Sequence, residues 1–310
     1  MKTKRIIITI LALILALVVY SLLPPVFLYS RKEPKPYTNS QAVAKLKDNK
    51  GDYFVFMVLG DNHAGFVFDD SATLKLIRSM NREDRFKKIP IDFVAIAGDV
   101  TFRGREWDYR IFNIMRSLIK WPVICAIGNH DDDKGGVERF KKYIGEKDFA
   151  FYDRNSYFIV LDNSAGDLSE GQFARFEMEL RKSQAYTHRF VILHKAPLSL
   201  YQQSWFRPEP SPWSYRFMKL CEQYKVDIVF SGHEHMFKQE TLGGVKYIMT
   251  GGGGMITQLP KREGGFLHYI VVRVYGDYVD YEVRKISPPL WEFLTYYLWK
   301  DVFYSFKALL

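Results

Sequence analysis

This chain of 310 residues alternates between strand-like and helix-like segments, and that order leaves it few possible folds. From residue 53 to residue 230, short apolar segments alternate with segments of helical periodicity, which is the rhythm of βαβ units. The segments after residue 230 are strand-like, and Gly243-Gly244 and Gly276-Asp277 between them are typical of hairpin turns. The sequence therefore predicts an α/β fold whose C-terminal part consists of β-strands.

Five predicted strands run directly into turns that carry carboxylate, amide or imidazole groups. These strands are Tyr53–Leu59, Asp92–Ala97, Val123–Ile127, Phe190–Leu193 and Asp227–Phe230. Their turns contribute Asp61, His63, Asp99, Asn129, His130, Asp131, His194, His233 and His235. Since α/β proteins place their ligand sites at the carboxyl ends of the strands, we expect these groups to converge at one edge of the sheet.

The histidines and glycines of these turns support a common site. Five of the seven histidines lie in the turns, and the other two, His188 and His268, are interpreted as structural residues. Glycine directly precedes four of the polar residues, as expected of sharp turns that bring the backbone close to ions. The four are Asp61, Asp99, Asn129 and His233.

In this order, the motifs D-x-H, GD, GNH[DE], H and GHxH resemble those of the calcineurin-like metallophosphoesterases over about residues 53–275. The sequence is most similar to the branch that includes cyclic-nucleotide phosphodiesterases and is distantly related to purple acid phosphatases. The segments 98–101 (GDVT) and 250–254 (TGGGG) carry that closer similarity. The resemblance implies an α/β fold, a four-layer α/β/β/α sandwich of two mixed sheets flanked by helices, with the C-terminal strands in the second sheet.

The resemblance also implies two divalent metal ions and assigns residues to them. One ion would be held by Asp61, His63 and His235, and the other by Asn129, His194 and His233. Asp99 would bridge the two. Oxygen and nitrogen ligands without thiolate suit Mn, Fe or Zn, and of these we favour Mn.

The same resemblance implies a phosphomonoesterase or phosphodiesterase that works by direct attack of a metal-bridging hydroxide on phosphorus. Asn129 and His130 would bind the substrate, and His130 would protonate the leaving group. Asp131 either orients His130 or has only a structural role in its turn. The alternative from another class of function is a non-catalytic scaffold on the same fold that binds partner proteins.

An apolar run at residues 6–23 follows a basic flank at residues 1–5, and we interpret it as a transmembrane signal anchor. A secretory signal peptide that is cleaved off is the alternative. Residues 24–50, which begin with Pro24-Pro25, are predicted to end the helix and form a linker to a domain at residues 51–286. Either interpretation places that domain on the extracytoplasmic side of a membrane.

Residues 287–310 carry apolar and aromatic side chains at helical spacing, which predicts an amphipathic helix. It either covers the sheet or contacts a membrane or a partner protein. The sequence leaves the oligomeric state open.

The formal net charge of +9 does not indicate a nucleic-acid partner, because more than half of it lies within residues 1–36. The expected partners are a membrane and a phosphoester substrate, lipid-linked or derived from the cell envelope.

Overall fold

The computed structural model describes residues 2–46, 51, 53–83, 91–198, 211–257 and 259–289. Its helices are α1 (Lys2–Tyr29), α2 (Asn39–Ala44), α3 (Val67–Met80), α4 (Glu106–Ser117), α5 (Gly136–Tyr143), α6 (Glu170–Ser183) and α7 (Pro212–Gln223). Its strands are β1 (Tyr53–Leu59), β2 (Ile91–Ile96), β3 (Val123–Cys125), β4 (Phe149–Asp153), β5 (Ser156–Val160), β6 (His188–Ile192), β7 (Ile228–Ser231), β8 (Phe237–Leu242), β9 (Val245–Thr250), β10 (Leu267–Tyr275) and β11 (Tyr278–Ile286).

The strands form two mixed sheets. The first has the order β11-β10-β1-β2-β3, and the second has the order β4-β5-β6-β7-β9-β8. Parallel pairing joins β1, β2 and β3 in the first sheet and β5, β6, β7 and β9 in the second. The predicted α/β fold with two mixed sheets flanked by helices is therefore confirmed.

The two sheets pack face to face over an aromatic core. Phe56 of β1 lies 5.1 Å from Phe93 of β2 between ring centroids, and 5.3 Å from both Phe158 of β5 and Phe190 of β6. The opposite face of the first sheet packs against α3, α4 and α5, and that of the second sheet packs against α6 and α7. Burial on both faces explains why the central strands read as continuous apolar runs.

The C-terminal strands divide between the sheets, so the expectation that they all belong to the second sheet is wrong. Strands β8 and β9 join the second sheet, whereas β10 pairs with β1 in antiparallel register from Tyr53↔Tyr275 to Val58↔Ile270. Hydrophobic periodicity identified these strands, but it carries no information about which neighbour each of them pairs with.

The apolar N-terminal segment is helical, and α1 continues through Pro24-Pro25 to Tyr29 instead of ending at the prolines. An interior proline costs a helix about 3 kcal/mol. Tertiary contacts oppose that cost: Leu28 is buried, the Tyr29 hydroxyl donates to the Asp70 carboxylate, and the Tyr29 ring packs edge-on against Trp107.

In the part of the chain that the structure describes, no helix is both long and apolar enough to cross a membrane. The predicted transmembrane anchor at residues 6–23 therefore has no support in the structure. The predicted aromatic helix at the C-terminus lies, from residue 290 onward, outside the described residues.

The segment predicted as a linker packs onto the domain as far as residue 46. The side chain of Asn39, which is buried, pairs with both backbone groups of Cys125: Oδ1 accepts from the Cys125 N–H at 2.9 Å and Nδ2 donates to the Cys125 carbonyl at 2.9 Å. Asn39 thereby extends the hydrogen bonding of the first sheet beyond β3, which is the edge strand of this sheet among the described residues.

Candidate metal centre

The structure brings all seven predicted metal ligands together at the carboxyl ends of the strands. Asp61 and His63 follow β1, Asp99 follows β2, and Asn129 follows β3. The second sheet contributes His194 after β6, with His233 and His235 after β7. Both sheets therefore share one site.

Three of these residues form a first donor group. One donor atom each from Asp61, His63 and His235 lies within 4.8 Å of the others. Asp61 Oδ1 lies 3.6 Å from His235 Nε2 and 4.0 Å from His63 Nε2. This spacing leaves room for a small cation between the three side chains.

A second donor group consists of Asp99, His194 and His233, with Asn129 beside it. His194 Nε2 lies 3.2 Å from Asp99 Oδ2 and 3.1 Å from Asn129 Oδ1. Asp99 Oδ2 also lies 3.5 Å from His63 Nε2 of the first group. Asp99 therefore belongs to the second group and also lies next to the first, which is the position that a bridging carboxylate requires.

The backbone at the site adopts an uncommon conformation. Asp61, His63, Asp99 and His233 have φ angles of 63°, 49°, 48° and 71°, in the left-handed region that residues other than glycine rarely adopt. Strain of this kind costs about 1–3 kcal/mol per residue and persists where surrounding structure fixes it, often at functional sites.

Neighbouring glycines allow the turns to approach the ligands. A β-carbon on Gly232 would lie 2.4 Å from Asp61 Oδ2, and one on Gly98 would lie 2.5 Å from His194 Nδ1. Both distances are shorter than any normal contact, so a side chain at either position would displace a predicted ligand.

The second nitrogen of His194 is fixed by the backbone. His194 Nδ1 lies 2.9 Å from the Ala97 carbonyl oxygen, which accepts its proton and leaves Nε2 directed toward Asp99 and Asn129. A hydrogen bond of this kind is typical of metal-binding histidines, because it sets the tautomer and the ring orientation.

The electrostatics of the cluster suit cations. Burial raises the pKa of Asp61 well above its usual range, and burial lowers the pKa of His63 and of His235, which favours neutral imidazoles. His63 Nε2 lies 3.5 Å from Asp99 Oδ2, at the limit of a hydrogen bond, and among the described residues His63 Nδ1 has no hydrogen-bond partner.

Asp99 and His194 behave as an ion pair. Burial opposes both charges, but the positive charge of His194 lowers the pKa of Asp99 well below its usual range, and Asp99 in turn raises the pKa of His194 to about 9. A divalent ion is able to replace the His194 proton as the partner of Asp99. Buried carboxylates, neutral imidazoles and one amide are a donor set that fits two divalent cations.

His130 lies beside the cluster, half-buried, 4.5 Å from His63 between ring centroids. Its Nδ1 is 2.7 Å from the Phe102 carbonyl oxygen, which accepts the Nδ1 proton. Nε2 is therefore not used by that hydrogen bond, and His130 forms a further group of possible metal ligands with His63 and Asp99. A cavity of about 350 Å³ opens here, lined by Asn129, His130, Asp132, Asp133, Lys134 and Ser164.

Asp131 is buried and braces the turns around the site. Its carboxylate accepts hydrogen bonds from the N–H groups of Val100, Thr101 and Gly128 and from the Thr101 hydroxyl, at 2.7–3.2 Å. In the described structure no hydrogen bond joins this carboxylate to the His130 ring. The contacts of Asp131 therefore agree with a structural role in its turn and not with a role in orienting His130. Burial raises the pKa of Asp131 to about 7.

The sequence reasoning missed Asn163, which follows β5 and is buried beside His194. Its Oδ1 accepts hydrogen bonds from the N–H groups of His194 and Lys195. A signal was present, because Asn163 follows the apolar run Tyr157–Leu161 just as the other site residues follow apolar runs.

Outside the cluster, His188 contacts the Asp227 carboxylate and the Gly276 carbonyl. His268 contacts the Thr250 hydroxyl and the Phe266 carbonyl. These contacts agree with a structural role for both histidines.

Residues 54–237, more than half of the chain, match the model of the calcineurin-like phosphoesterase family. The chain therefore belongs to the calcineurin-like phosphoesterase family, whose members depend on two metal ions, and it is a metal-dependent phosphoric ester hydrolase. The family membership expected from the sequence motifs is therefore confirmed.

One similar protein is the "Probable cyclic nucleotide phosphodiesterase" of Vesicomyosocius okutanii subsp. Calyptogena okutanii (strain HA), 25% identical over 199 residues that cover 61% of this chain and 80% of that one. Among solved structures, the purple acid phosphatase PPD1 of yellow lupin (Lupinus luteus) seeds has a TM-score of 0.60 at 16% identity, covering 81% of this chain and 52% of that chain. GAP50, the anchor in the inner membrane complex of Plasmodium, has a TM-score of 0.59 at 13% identity, covering 76% of this chain and 85% of that chain. At these sequence identities, the similarity to both structures establishes the fold of this chain and nothing about its activity.

Proposed function

We propose that this chain hydrolyses phosphomonoesters or phosphodiesters with two divalent ions bound at the two donor groups. The observation that carries the proposal is the position of Asp99, whose carboxylate lies 3.2 Å from His194 of one group and 3.5 Å from His63 of the other. Asp61, His63 and His235 are assigned to one ion, and Asn129, His194 and His233 to the other.

When bound, such ions supply an activated water and positive charge for the phosphoryl oxygens. The chain's own residues position the substrate. The N–H of His130 donates to Asp99 Oδ1 at 2.8 Å, which ties the turn containing Asn129 and His130 to the shared carboxylate. Asn129 and His130 line the cavity, so a phosphoester bound at the cluster places its alcohol group there.

His130 is the proposed general acid. The Phe102 carbonyl keeps a proton on Nδ1, so an imidazolium donates from Nε2 to the leaving oxygen and returns to a neutral ring without breaking its hydrogen bond. General acid catalysis of this kind contributes about 10²–10⁴-fold to a rate.

The experiment that tests the proposal is a screen of phosphomonoesters and phosphodiesters with Mn²⁺, Fe²⁺ or Zn²⁺ added to metal-free protein. We expect hydrolysis of at least one class, highest with Mn²⁺, and its loss after chelation. Bound metal without hydrolysis of any ester would favour the alternative, a scaffold that binds partner proteins.

An extracytoplasmic, membrane-associated location stays part of the proposal. Its support is the basic N-terminal flank together with the exposed apolar side chains of α1, among them Ile8 at 65% and Leu15 at 64% exposure. Membrane fractionation of the full chain, followed by protease treatment of intact cells, tests both association and side. Recovery of the full chain entirely in the supernatant after fractionation would exclude association.

A further inference from the structure

We propose that Asn163 is a positioning residue for His194 and, through it, for the second metal ion. This inference rests on the proposed function, because it assigns Asn163 a part in that site. Asn163 lies outside every motif that identifies the family in this chain, yet its side chain contacts the backbone of a predicted ligand directly.

The amide of Asn163 holds the turn after β6 by three hydrogen bonds. Oδ1 accepts from the N–H groups of His194 and Lys195, both at 3.0 Å, and Nδ2 donates to the Lys195 carbonyl at 2.6 Å. Asn163 is 1% exposed and His194 is fully buried, so water cannot take over the bond to the His194 N–H without entering the core.

The other contacts of His194 depend on that backbone position. Its carbonyl accepts from the Gly232 N–H at 2.9 Å, and its Nδ1 donates to Ala97. Without Asn163, the buried N–H of His194 and the partly buried N–H of Lys195 lose their acceptor, and a buried N–H group left unsatisfied is destabilising. If the turn moved so that these N–H groups could bind water, Nε2 of His194 would move away from Asp99.

Asn163 itself is held on a rigid support. The carboxylate of the preceding residue, Asp162, forms a salt bridge with Lys147. The Asp162 backbone carbonyl accepts a hydrogen bond from Gln172 Nε2 of α6 at 2.6 Å. Both acceptor positions of Asn163 Oδ1 are used by the His194 turn. Asn163 therefore orients a ligand and is not placed to be one.

The test compares Asn163→Ala with Asn113→Ala by titration of Mn²⁺ into the metal-free full chain. Asn113 is a matched control because it is also buried, at 2% exposure, and donates to a backbone carbonyl, that of Pro34, which contributes nothing to the predicted metal ligands. We expect Asn163→Ala to weaken one of the two ions by about 10–100-fold and leave the other unchanged. Asn113→Ala is expected to lower stability without changing either affinity.

A double-mutant cycle shows whether the effect passes through His194. In a His194→Ala background, Asn163→Ala is expected to cause no further loss of metal affinity. If the alanine variant does not fold, Asn163→Asp replaces it: this variant keeps the acceptor but sets a carboxylate against the Lys195 carbonyl, so a smaller loss at the same ion is expected.

Two results would overturn the inference: a folded Asn163 variant that binds both ions as the wild type does, or a loss that is the same with and without His194. A wild-type chain that binds fewer than two ions would instead overturn the proposed function. The two failures are therefore distinguishable.

Discussion

Gly128 lies so close to Asp99 that a β-carbon at position 128 would stand 2.2 Å from Asp99 Oδ1 and 2.3 Å from the Asp99 backbone nitrogen. The turn containing Asn129 therefore lies so close to the Asp99 carboxylate that only glycine fits at position 128. The first glycine of the GNH motif serves the site by leaving this space to Asp99.

The first prediction follows from that contact. Gly128→Ala should displace the Asp99 carboxylate, and we expect loss of most bound metal and at least a hundredfold loss of activity, the scale of a misplaced catalytic group. Metal analysis and a phosphoester assay measure both effects.

Gly171→Ala is the control for this substitution. A β-carbon at Gly171 would contact nothing within 4 Å among the described residues, and the residue lies in the first turn of α6, where alanine is favoured over glycine by less than the ~1 kcal/mol of a helix interior. The control should therefore keep full activity with slightly raised stability. Wild-type metal content in Gly128→Ala would show that Asp99 tolerates displacement or is not a ligand.

The second prediction concerns His130. A general acid matters more as the leaving group becomes more basic, so His130→Ala should slow alkyl phosphoesters by about a hundredfold or more while nitrophenyl esters lose much less. Rates are compared with one metal at one pH, and metal content should stay unchanged. Equal losses for both ester types would assign His130 to stabilising phosphoryl charge instead.

The third prediction concerns the contact between α1 and the domain. Burial raises the pKa of Asp70 from 3.8 to about 7, although hydrogen bonds from Tyr29 and the Gly65 N–H oppose the shift. The folded carboxyl holds its proton more tightly than the unfolded one, so its contribution to stability is full below about pH 4 and is lost as the pH rises through 7.

Asp70→Asn removes that titration. The unfolding free energy of the variant, relative to the wild type, should therefore rise between about pH 4 and pH 7, by at most about 1.4 kcal/mol per pH unit. Urea unfolding of both proteins, with chelator present throughout, measures the difference. The variant Gly171→Ala changes no titratable group and serves as the control, for which the difference should stay flat. A flat curve for Asp70→Asn as well would show that Asp70 is ionised in the folded state.

Much of the fold was accessible from the sequence because its signals are local. The strand Tyr53–Leu59 was predicted residue for residue, since an apolar run bounded by turn residues is the expected pattern of a strand buried on both faces. The strand β4 and the helix α5 were not predicted. The strand Phe149–Asp153 lies at a sheet edge with mixed burial, which weakens its pattern, and α5, with only 8 residues, is shorter than the segments over which helical periodicity is read.

Among the residues of the site, too, the sequence identified some and only the structure revealed the role of others. The ligand candidates were found because several rare polar residues follow strands in a set order. The role of Asp131 stayed open in the sequence, since only the fold places Val100 and Thr101 around its carboxylate. Asn163 also follows an apolar run, but only the structure shows that β5 lies beside β6, where the Asn163 side chain reaches the backbone of His194.

The central claim is that two ions sharing Asp99 carry out phosphoester hydrolysis, and metal stoichiometry measured together with activity tests it most directly. Mn²⁺ is titrated into metal-free wild type, Asp99→Ala and the control His188→Gln, with bound metal and hydrolysis recorded at each step. We predict two ions in the wild type and the control, with activity appearing as the second ion binds, and loss of activity and most metal in Asp99→Ala. Two full equivalents in Asp99→Ala, or wild-type hydrolysis that survives complete removal of metal, would contradict the account.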